Sequence, residues 1–574
     1  MNDEQFIQRR MLLAAVLSAV VMGAYIYFAP RPQPGTDPAP AAQPAPVRAP
    51  AEPDQSAAAP AVEAADADFA AAAAETEFEA AEERRIVVES ETYRVEFTNR
   101  GAAVTSWQLR RFSDAAGDPL DLVHERGAAR FGGPFRLLRT GGDPIEGADD
   151  ALFAISPGPS VRNAPETLTF RYSKDGLAIL KRFSFEAGGH IVELETRVTE
   201  DGRPLRHLIS WGGGFGDTAQ AGNQAFSQTF YFADGDIEYV TASDADDERV
   251  THVGAFPFVG ISDLFFALAA IPPPGEDIRL ETSAVEIIPR GADADSTQAY
   301  VAGAFGGGGQ NRLDLFVGPK SRDALVEVQG LGRTFLGLVD YGFFSFLAEP
   351  LFAALRWVHA NMVQNWGWSI VIVTVLINTI LFPLKYKSTK SMRRMQQLQP
   401  LVKEINNRYK GVSMRDPRKA KQNQELQELY KKYNANPMGG CLPILLQMPF
   451  FFAFYKLLTV AIEMRQAEWL WVSDLSNPET LAIRVLPLAM VATQFWSQAL
   501  TPTPTADPTQ ARIMKLMPLV FGFIFYQFQA GLVLYWLTSN VVGIVQQLAL
   551  NRLPQEKLKI ERAPRRRKRK RRGR

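Results

Sequence analysis

Only one cysteine, Cys441, occurs in 574 residues, which excludes an internal disulfide framework, and no second thiol or histidine cluster near it offers a metal site. Histidine is almost as scarce, with five in the chain and four of them in the amino-terminal half. Net charge is also zero, but the balance conceals a partition. Basic residues crowd into Lys385–Lys432 and Arg552–Arg574 and leave the rest acidic, as in a chain that crosses a membrane. No Asp or Glu falls in the middle of the long apolar runs, where proton-coupled carriers and pumps need one. No nucleophile sits with a base in a recognisable motif, and neither glycine run, Trp211–Phe215 or Phe305–Gly309, ends in the Gly-Lys-Ser/Thr of a phosphate loop. The expectation is therefore no bond-making catalysis, no metal, no cofactor and no small-molecule substrate, with the glycine runs serving as flexible connections.

What is present is a set of apolar runs, each about long enough to cross a bilayer. Met11–Ala29 follows Arg9 and Arg10 and could be a signal peptide or an anchor. The residues before Pro30, Tyr-Ile-Tyr-Phe-Ala, lack a small-x-small cleavage pattern, which favours the anchor. Ser369–Leu384, Pro443–Ile462, Leu481–Leu500, Met514–Phe528 and Gly531–Leu550 supply five more crossings. Between the second and third, fourteen Lys and Arg face four acids, so that loop is expected in the cytoplasm, as are both termini. Within the loop Met395, Leu398, Val402, Ile405 and Tyr409 step by three and four, Asp416-Pro417 can open a second helix, and Leu426, Leu429 and Tyr433 repeat the spacing. This reads as a helical hairpin whose charges either solvate its faces or dock on anionic lipid or a nucleoprotein.

The remaining segments divide by composition. Residues 30–83 are mostly Ala, Pro, Asp and Glu, too poor in large apolar side chains to order, and read as a linker. Residues 84–330 alternate with period two, as in TYRVEFTN and IVELETRV, and read as an all-β sandwich with its own core. Residues 331–363 carry an amphipathic helix on Phe343, Phe346, Leu347, Leu351, Leu355 and Val358, suited to a membrane interface or to packing on the β-domain. The expected organisation is an anchor at 1–29, the linker, the sandwich, the interfacial helix, a five-helix core at 364–552 with its hairpin at 385–435, and a basic tail at 553–574.

Polar residues inside the apolar runs are not scattered. Thr374, Asn378 and Lys385 share one face of the second run, Trp536, Asn540 and Gln547 one face of the sixth, and Gln447 and Gln494 add to the set. Most fall in the cytoplasmic half of the orientation above, which points to a polar recess closed on the outer side. Polar residues that merely glue helices together explain each one singly, but the shared half less well.

The segments VDYG (Val339–Gly342), NWGWSI (Asn365–Ile370), NPMGGCLPILLQMP (Asn436–Pro449) and GLVLYW (Gly531–Trp536), with Ser539-Asn540, strongly resemble the YidC membrane-protein insertases. The resemblance is close from about Leu313 to Arg552 and looser over the β-domain. It implies a six-span protein of the bacterial inner membrane, of the Gram-negative type with a large periplasmic β-domain, whose five carboxyl-terminal spans enclose a groove. It also implies insertion of nascent membrane proteins, alone or beside the Sec translocon. Many relatives carry a groove arginine where this chain has Asn378, and a tyrosine is common where Trp536 stands. Lys385, seven residues on and on nearly the same helical face, is the expected substitute cation, with the substrate's apolar segment passing Phe451 and Phe525. The tail residues Arg565, Arg566, Arg567, Lys568, Arg569 and Lys570 fit a ribosome or anionic lipids. Two other classes remain open, a channel or transporter and a membrane-anchored assembly scaffold. The first would move a small solute, and the second would work with its spans replaced by an unrelated anchor.

Overall fold

The computed structural model describes residues 77–553 and 558, apart from 115, 219–226, 247, 291, 294–295, 329, 413–415, 436–441 and 502–507. Of 333, 442–446 and 508–514 it describes the backbone alone. The expected anchor Met11–Ala29, most of the linker, the start of the NPMGGCLPILLQMP motif at Asn436–Cys441 and the tail Arg565–Arg574 lie outside the described residues. The chain divides at Asp340–Tyr341 into two compact units.

The first is all-β apart from short helices. Strand Tyr93–Thr98 alternates buried and half-buried residues throughout, as its period-two sequence requires. Three sheets form, of five, ten and five strands. Among the described residues every strand pairing is antiparallel except that of Arg85–Glu89 with Val161–Asn163. One aromatic chain joins the three. Phe97 lies 4.9 Å from Phe183 of the ten-stranded sheet, and Phe183 lies 5.4 Å from Phe135, which is 5.8 Å from Trp211 of the third sheet. Such ring pairs add specificity beyond their buried area. At their centre Lys181 donates to the carbonyls of Gly101, Ala102 and Phe135 at 2.7, 3.2 and 2.9 Å, tying turns from separate sheets to one ammonium.

Three boundaries or roles differ from the sequence reading. Residues 77–83 belong to this unit, since the Phe78 amide and carbonyl pair with Ser173 and Glu79 takes Lys174 at 2.9 Å. The unit also runs past 330. Among the described residues three short α-helices belong to it, α1 (Glu125–Phe131), α2 (Arg322–Val326) and α3 (Gly332–Leu336). α2 and α3, with Leu338, bury Leu325, Phe335 and Leu338 against Phe230, Phe258 and Phe316. Finally, Trp211–Phe215 is a close-packed segment. Trp211 and Phe215 are buried, the Trp211 indole donates to Gly214 O at 2.9 Å, and Gly213 lies so near the Gly127–Ala128 backbone of α1 that a Cβ would overlap it. Those glycines permit close approach.

The second unit is helical. Helix α4 (Ser345–Asn361) packs on α5 (Trp366–Ile380) and buries Ala348, Leu351, Phe352, Leu355 and Val358, while Phe346 and Trp357 stay exposed. The NWGW motif starts α5: the Asn365 side chain accepts from Trp368 N at 3.0 Å and donates to Glu468 O at 2.8 Å, and Gly367 leaves room for the Trp469 indole. A 55° bend separates α5 from α6 (Phe382–Arg408). Pro383 accounts for it, having no amide proton and a ring that crowds the carbonyl four residues back. The expected hairpin forms between α6 and α7 (Arg418–Lys432) around Val402, Ile405 and Leu426, flanked by Tyr409, Leu429 and Tyr430.

Among the described residues the unit holds four more α-helices: α8 (Leu442–Val460), α9 (Val485–Leu500), α10 (Pro508–Phe525) and α11 (Ala530–Arg552). α11 packs against α5 and α9, and α9 against α10. Among the described residues α11 is the one helix long and apolar enough to cross a membrane alone, and α5 with α6 meet the same criterion only as a bent pair. The run expected from Leu481 becomes helical only at Val485, after Arg484 bonds the Tyr526 carbonyl.

Candidate functional site

The polar residues picked from the sequence gather around α11, on two of its neighbouring faces. Successive residues of a helix point about 100° apart, so Tyr535 and Ser539 form one stripe and Trp536 and Asn540 the next.

The Tyr535–Ser539 stripe meets α5 and α8. Asn378 is only 4% exposed. Its amide nitrogen donates to Ser539 Oγ at 3.2 Å and to Thr374 O at 2.9 Å, its side-chain oxygen accepts from Lys385 Nζ at 2.6 Å, and its backbone carbonyl accepts from Gln546 at 3.1 Å. Tyr535 stacks on Phe454 of α8 at 4.3 Å, and its hydroxyl is turned to the polar side chains of Gln447 and Ser539. A chain of polar side chains therefore runs from Lys385 through Asn378, Ser539 and Tyr535 to Gln447, drawn from four helices. The bend at Pro383 places Lys385 at its open end, half-buried, where no carboxylate pairs with it among the described residues. An ammonium held by a neutral amide keeps donors and a full charge available for another group.

The second stripe turns to α9. Trp536 Nε1 donates to Gln494 Oε1 at 3.4 Å, and Asn540 donates to Thr493 Oγ1 at 3.3 Å and Met490 O at 3.4 Å. Trp536 also closes an aromatic cluster with Phe451 at 5.2 Å, Phe525 at 5.1 Å and Phe521 at 6.0 Å. Phe451 and Phe525 are 4% and 2% exposed, so in this conformation both rings are covered by protein.

The structure thus brings together Asn378, Lys385 and Gln447, and separately Gln494, Trp536 and Asn540. Thr374 sits beside the first group, with its hydroxyl buried and donating to Ile370 O at 2.6 Å. Gln547 bonds Asn551 at 3.0 Å, one turn along its own helix, and joins neither group. Sequence reasoning missed Gln546 and Thr493 and gave Tyr535 and Ser539 only as parts of motifs. Tyr535 precedes the flagged tryptophan, but periodicity alone could not tell which of two adjacent aromatic residues faces α8. Among the described residues no group of three His, Cys, Asp or Glu side chains is arranged for a metal ion.

The family model described as 60Kd inner membrane protein matches residues 357–557, and that of the YidC periplasmic domain matches residues 85–354. A membrane protein insertase YidC of Wolinella succinogenes is 36% identical over 394 residues, covering 68% of this chain and 68% of its own length. The protein of that name from Cupriavidus pinatubonensis is 33% identical over 489 residues, 82% of this chain and 83% of its own. That of Campylobacter jejuni reaches 44% over 256 residues, 44% and 45% of the two chains. With family models matching residues 85–354 and 357–557, and relatives at this identity matched over two thirds or more of both chains, the chain belongs to the YidC family of membrane protein insertases, with an all-β periplasmic domain and a helical carboxyl-terminal region.

Proposed function

We infer that this chain moves nascent membrane proteins into the bacterial inner membrane by offering their polar stretches a partly charged, hydrogen-bonding path beside lipid. The observation that carries this reading is the chain of side chains from Lys385 to Gln447, set among helices that turn apolar residues outward. Val375, Leu376 and Ile380 of α5, Phe495 and Trp496 of α9, Leu519 and Phe523 of α10 and Val541 and Val545 of α11 are all exposed large apolar side chains. Faces of that kind need lipid or a partner. Taking an amide from water into a medium that cannot hydrogen-bond costs about 4–8 kcal/mol, and donors and acceptors part of the way across offset some of that cost.

In this reading six segments cross the membrane, Met11–Ala29 and five in the helical unit, with both termini in the cytoplasm. The recess opens to the cytoplasm at Lys385. Phe451, Phe525 and Trp536 lie where an apolar segment would leave the recess for lipid. The basic hairpin and the tail would meet anionic lipids or the ribosome, and the Sec translocon would be a partner for some substrates.

Reconstitution tests the reading. Purified protein in liposomes should give protease-protected insertion of a short one-span or two-span substrate that empty liposomes do not. Equal insertion without the protein would overturn it.

A further inference from the structure

The loop between α8 and α9 is tied to the starts of three helices. At α5, Asn365 donates to Glu468 O. At α11, the carbonyls of Leu475 and Asn477 accept from Gly531 N at 2.9 Å and Ala530 N at 2.8 Å. At α9, Glu479, itself buried, accepts from Leu486 N at 2.8 Å and from Trp471 Nε1 at 2.7 Å. The chain reaches this end of the helical unit from the β-domain through α4.

One tight turn projects from this fixed base. Trp469 and Val472 exchange backbone hydrogen bonds, each at 2.8 Å, and both side chains are buried. The two residues between them are large, apolar and outside: Leu470 is 64% exposed and Trp471 44%. Leu470 also has φ of +51°, the left-handed region where such a turn favours glycine or asparagine. Backbone strain and exposure both count against a leucine here in water, and outliers of this kind persist at functional positions.

The surroundings of the turn indicate what meets it. Trp469 lies 5.6 Å from Trp368 in the first turn of α5, and the exposed Trp368 shares a helical face with the exposed Val375. At the start of α9, Ile483 is exposed, and Val485, Leu488 and Trp496 form one exposed stripe. Apolar flanks of helices from an inner-membrane family therefore lead up to the turn on both sides. The carboxylates after it do not interrupt them. Asp474 accepts from Ser476 and Asn477, and Glu479 is held as above. Glu468, exposed at the base of the turn, and Arg484, bonded to the Tyr526 carbonyl, mark a charged level above the apolar flanks, as a headgroup region requires.

We propose that the Trp469–Val472 turn is a lipid anchor, with Leu470 and the Trp471 ring seated in the outer leaflet where headgroups meet acyl chains. Leucine gains by leaving water, and the Trp471 ring enters without an unmet donor because its N–H is already bonded to Glu479. The same loop caps the start of α11 through Leu475 and Asn477, so the anchor also sets how deep that helix sits. Only the choice of leaflet rests on the topology proposed above. The contact with lipid does not.

The test uses the full chain carrying Cys441→Ser, reconstituted alone in liposomes, with a fluorophore on Leu470→Cys. A nitroxide near the lipid headgroup should quench it more strongly than one deep in the acyl chain. Aqueous iodide should quench it less than it quenches the same fluorophore on Glu146→Cys, exposed in the β-domain. With the fluorophore moved to the exposed Ser473, Leu470→Asp should cut lipid quenching about threefold, because a carboxylate resists leaving water. Leu470→Gly separates anchoring from folding. Glycine suits the left-handed backbone, so the unfolding temperature in detergent should not fall, while lipid quenching at 473 drops as it does with aspartate. Quenching at 470 by iodide alone, quenching by neither agent, as under a covering β-domain or second copy, or a signal at 473 indifferent to both substitutions would overturn the proposal. No substrate takes part, so failure here leaves the insertase reading standing, and failed insertion leaves the anchor standing.

Discussion

Lys385→Gln separates a working cation from a topological one. Nζ of Lys385 lies 2.6 Å from Asn378 Oδ1 at the open end of the buried polar chain. Glutamine there can still hydrogen-bond but brings no charge. A hydrogen bond involving a charged group contributes about 1.5–3 kcal/mol, and solvent screening at this half-exposed site trims that to the lower end. At about 1.4 kcal/mol per factor of ten, Lys385→Gln should slow insertion of a substrate with an acidic translocated segment roughly tenfold. A matched neutral substrate should change by less than about twofold on the same grounds. Lys385→Arg should restore the acidic substrate, and adding Asn378→Arg to Lys385→Gln should restore it in part, because Asn378 is buried and the longer side chain must lean toward the bend at Pro383. Asn378→Leu should impair both substrates, since it removes the acceptor of Lys385 and the donor to Ser539 together. The assay is the initial rate of protease-protected insertion in membranes holding equal amounts of each variant. An equal effect of Lys385→Gln on acidic and neutral substrates would refute the charge argument and leave this lysine only its part in orienting the loop.

Gly367→Ala should displace the Trp469 indole, whose ring atoms occupy the space of the new methyl group, and cost about 1–3 kcal/mol; Trp469→Ala in the same chain should relieve much of it, as thermal unfolding in detergent would register. Lys181→Met should change how the β-domain's stability depends on pH. Burial pushes the Lys181 amine down to about 7, while an unfolded lysine titrates near 10.4. Between those values the unfolded chain keeps a proton that the fold has released, so stability rises with pH through that window and is flat below it. The methionine variant should lose that rise in denaturation curves followed by tryptophan fluorescence. Deleting 77–340 should leave insertion of a simple substrate intact, whereas a deletion ending at Val317 should aggregate, because it strands Phe335 and Leu338 without the sheet they cover; complete loss of activity in a stable, membrane-located 77–340 deletion would contradict this.

Much of the architecture was legible because it is written in local periodicity. The period-two runs gave the β-domain, the three-and-four spacing gave both arms of the hairpin, and Asp416-Pro417 opened the second arm, with Asp416 Oδ1 accepting Arg418 N at 2.9 Å. The spacing of seven between Asn378 and Lys385 placed them on one face, and the bond between them follows from that spacing across the bend. Each of these depends on how a short stretch presents its own side chains.

What only the tertiary structure decided is which faces meet. Sequence placed Trp536, Asn540 and Gln547 on one side of α11, but the packing of α11 between α5, α8 and α9 joined Asn378 to Ser539 and Tyr535 and sent Trp536 and Asn540 to Gln494 and Thr493. The glycines at 212–214 looked like a loop because nothing near them in sequence reveals α1, more than eighty residues earlier, against which Gly213 packs. In the same way Phe335 and Leu338 read as the approach to an interfacial helix until Phe258 and Phe316 were seen to cover them. A helix or strand carries its own apolar pattern, but the partner of that pattern is set by residues distant in the chain, and burial is a property of the pair.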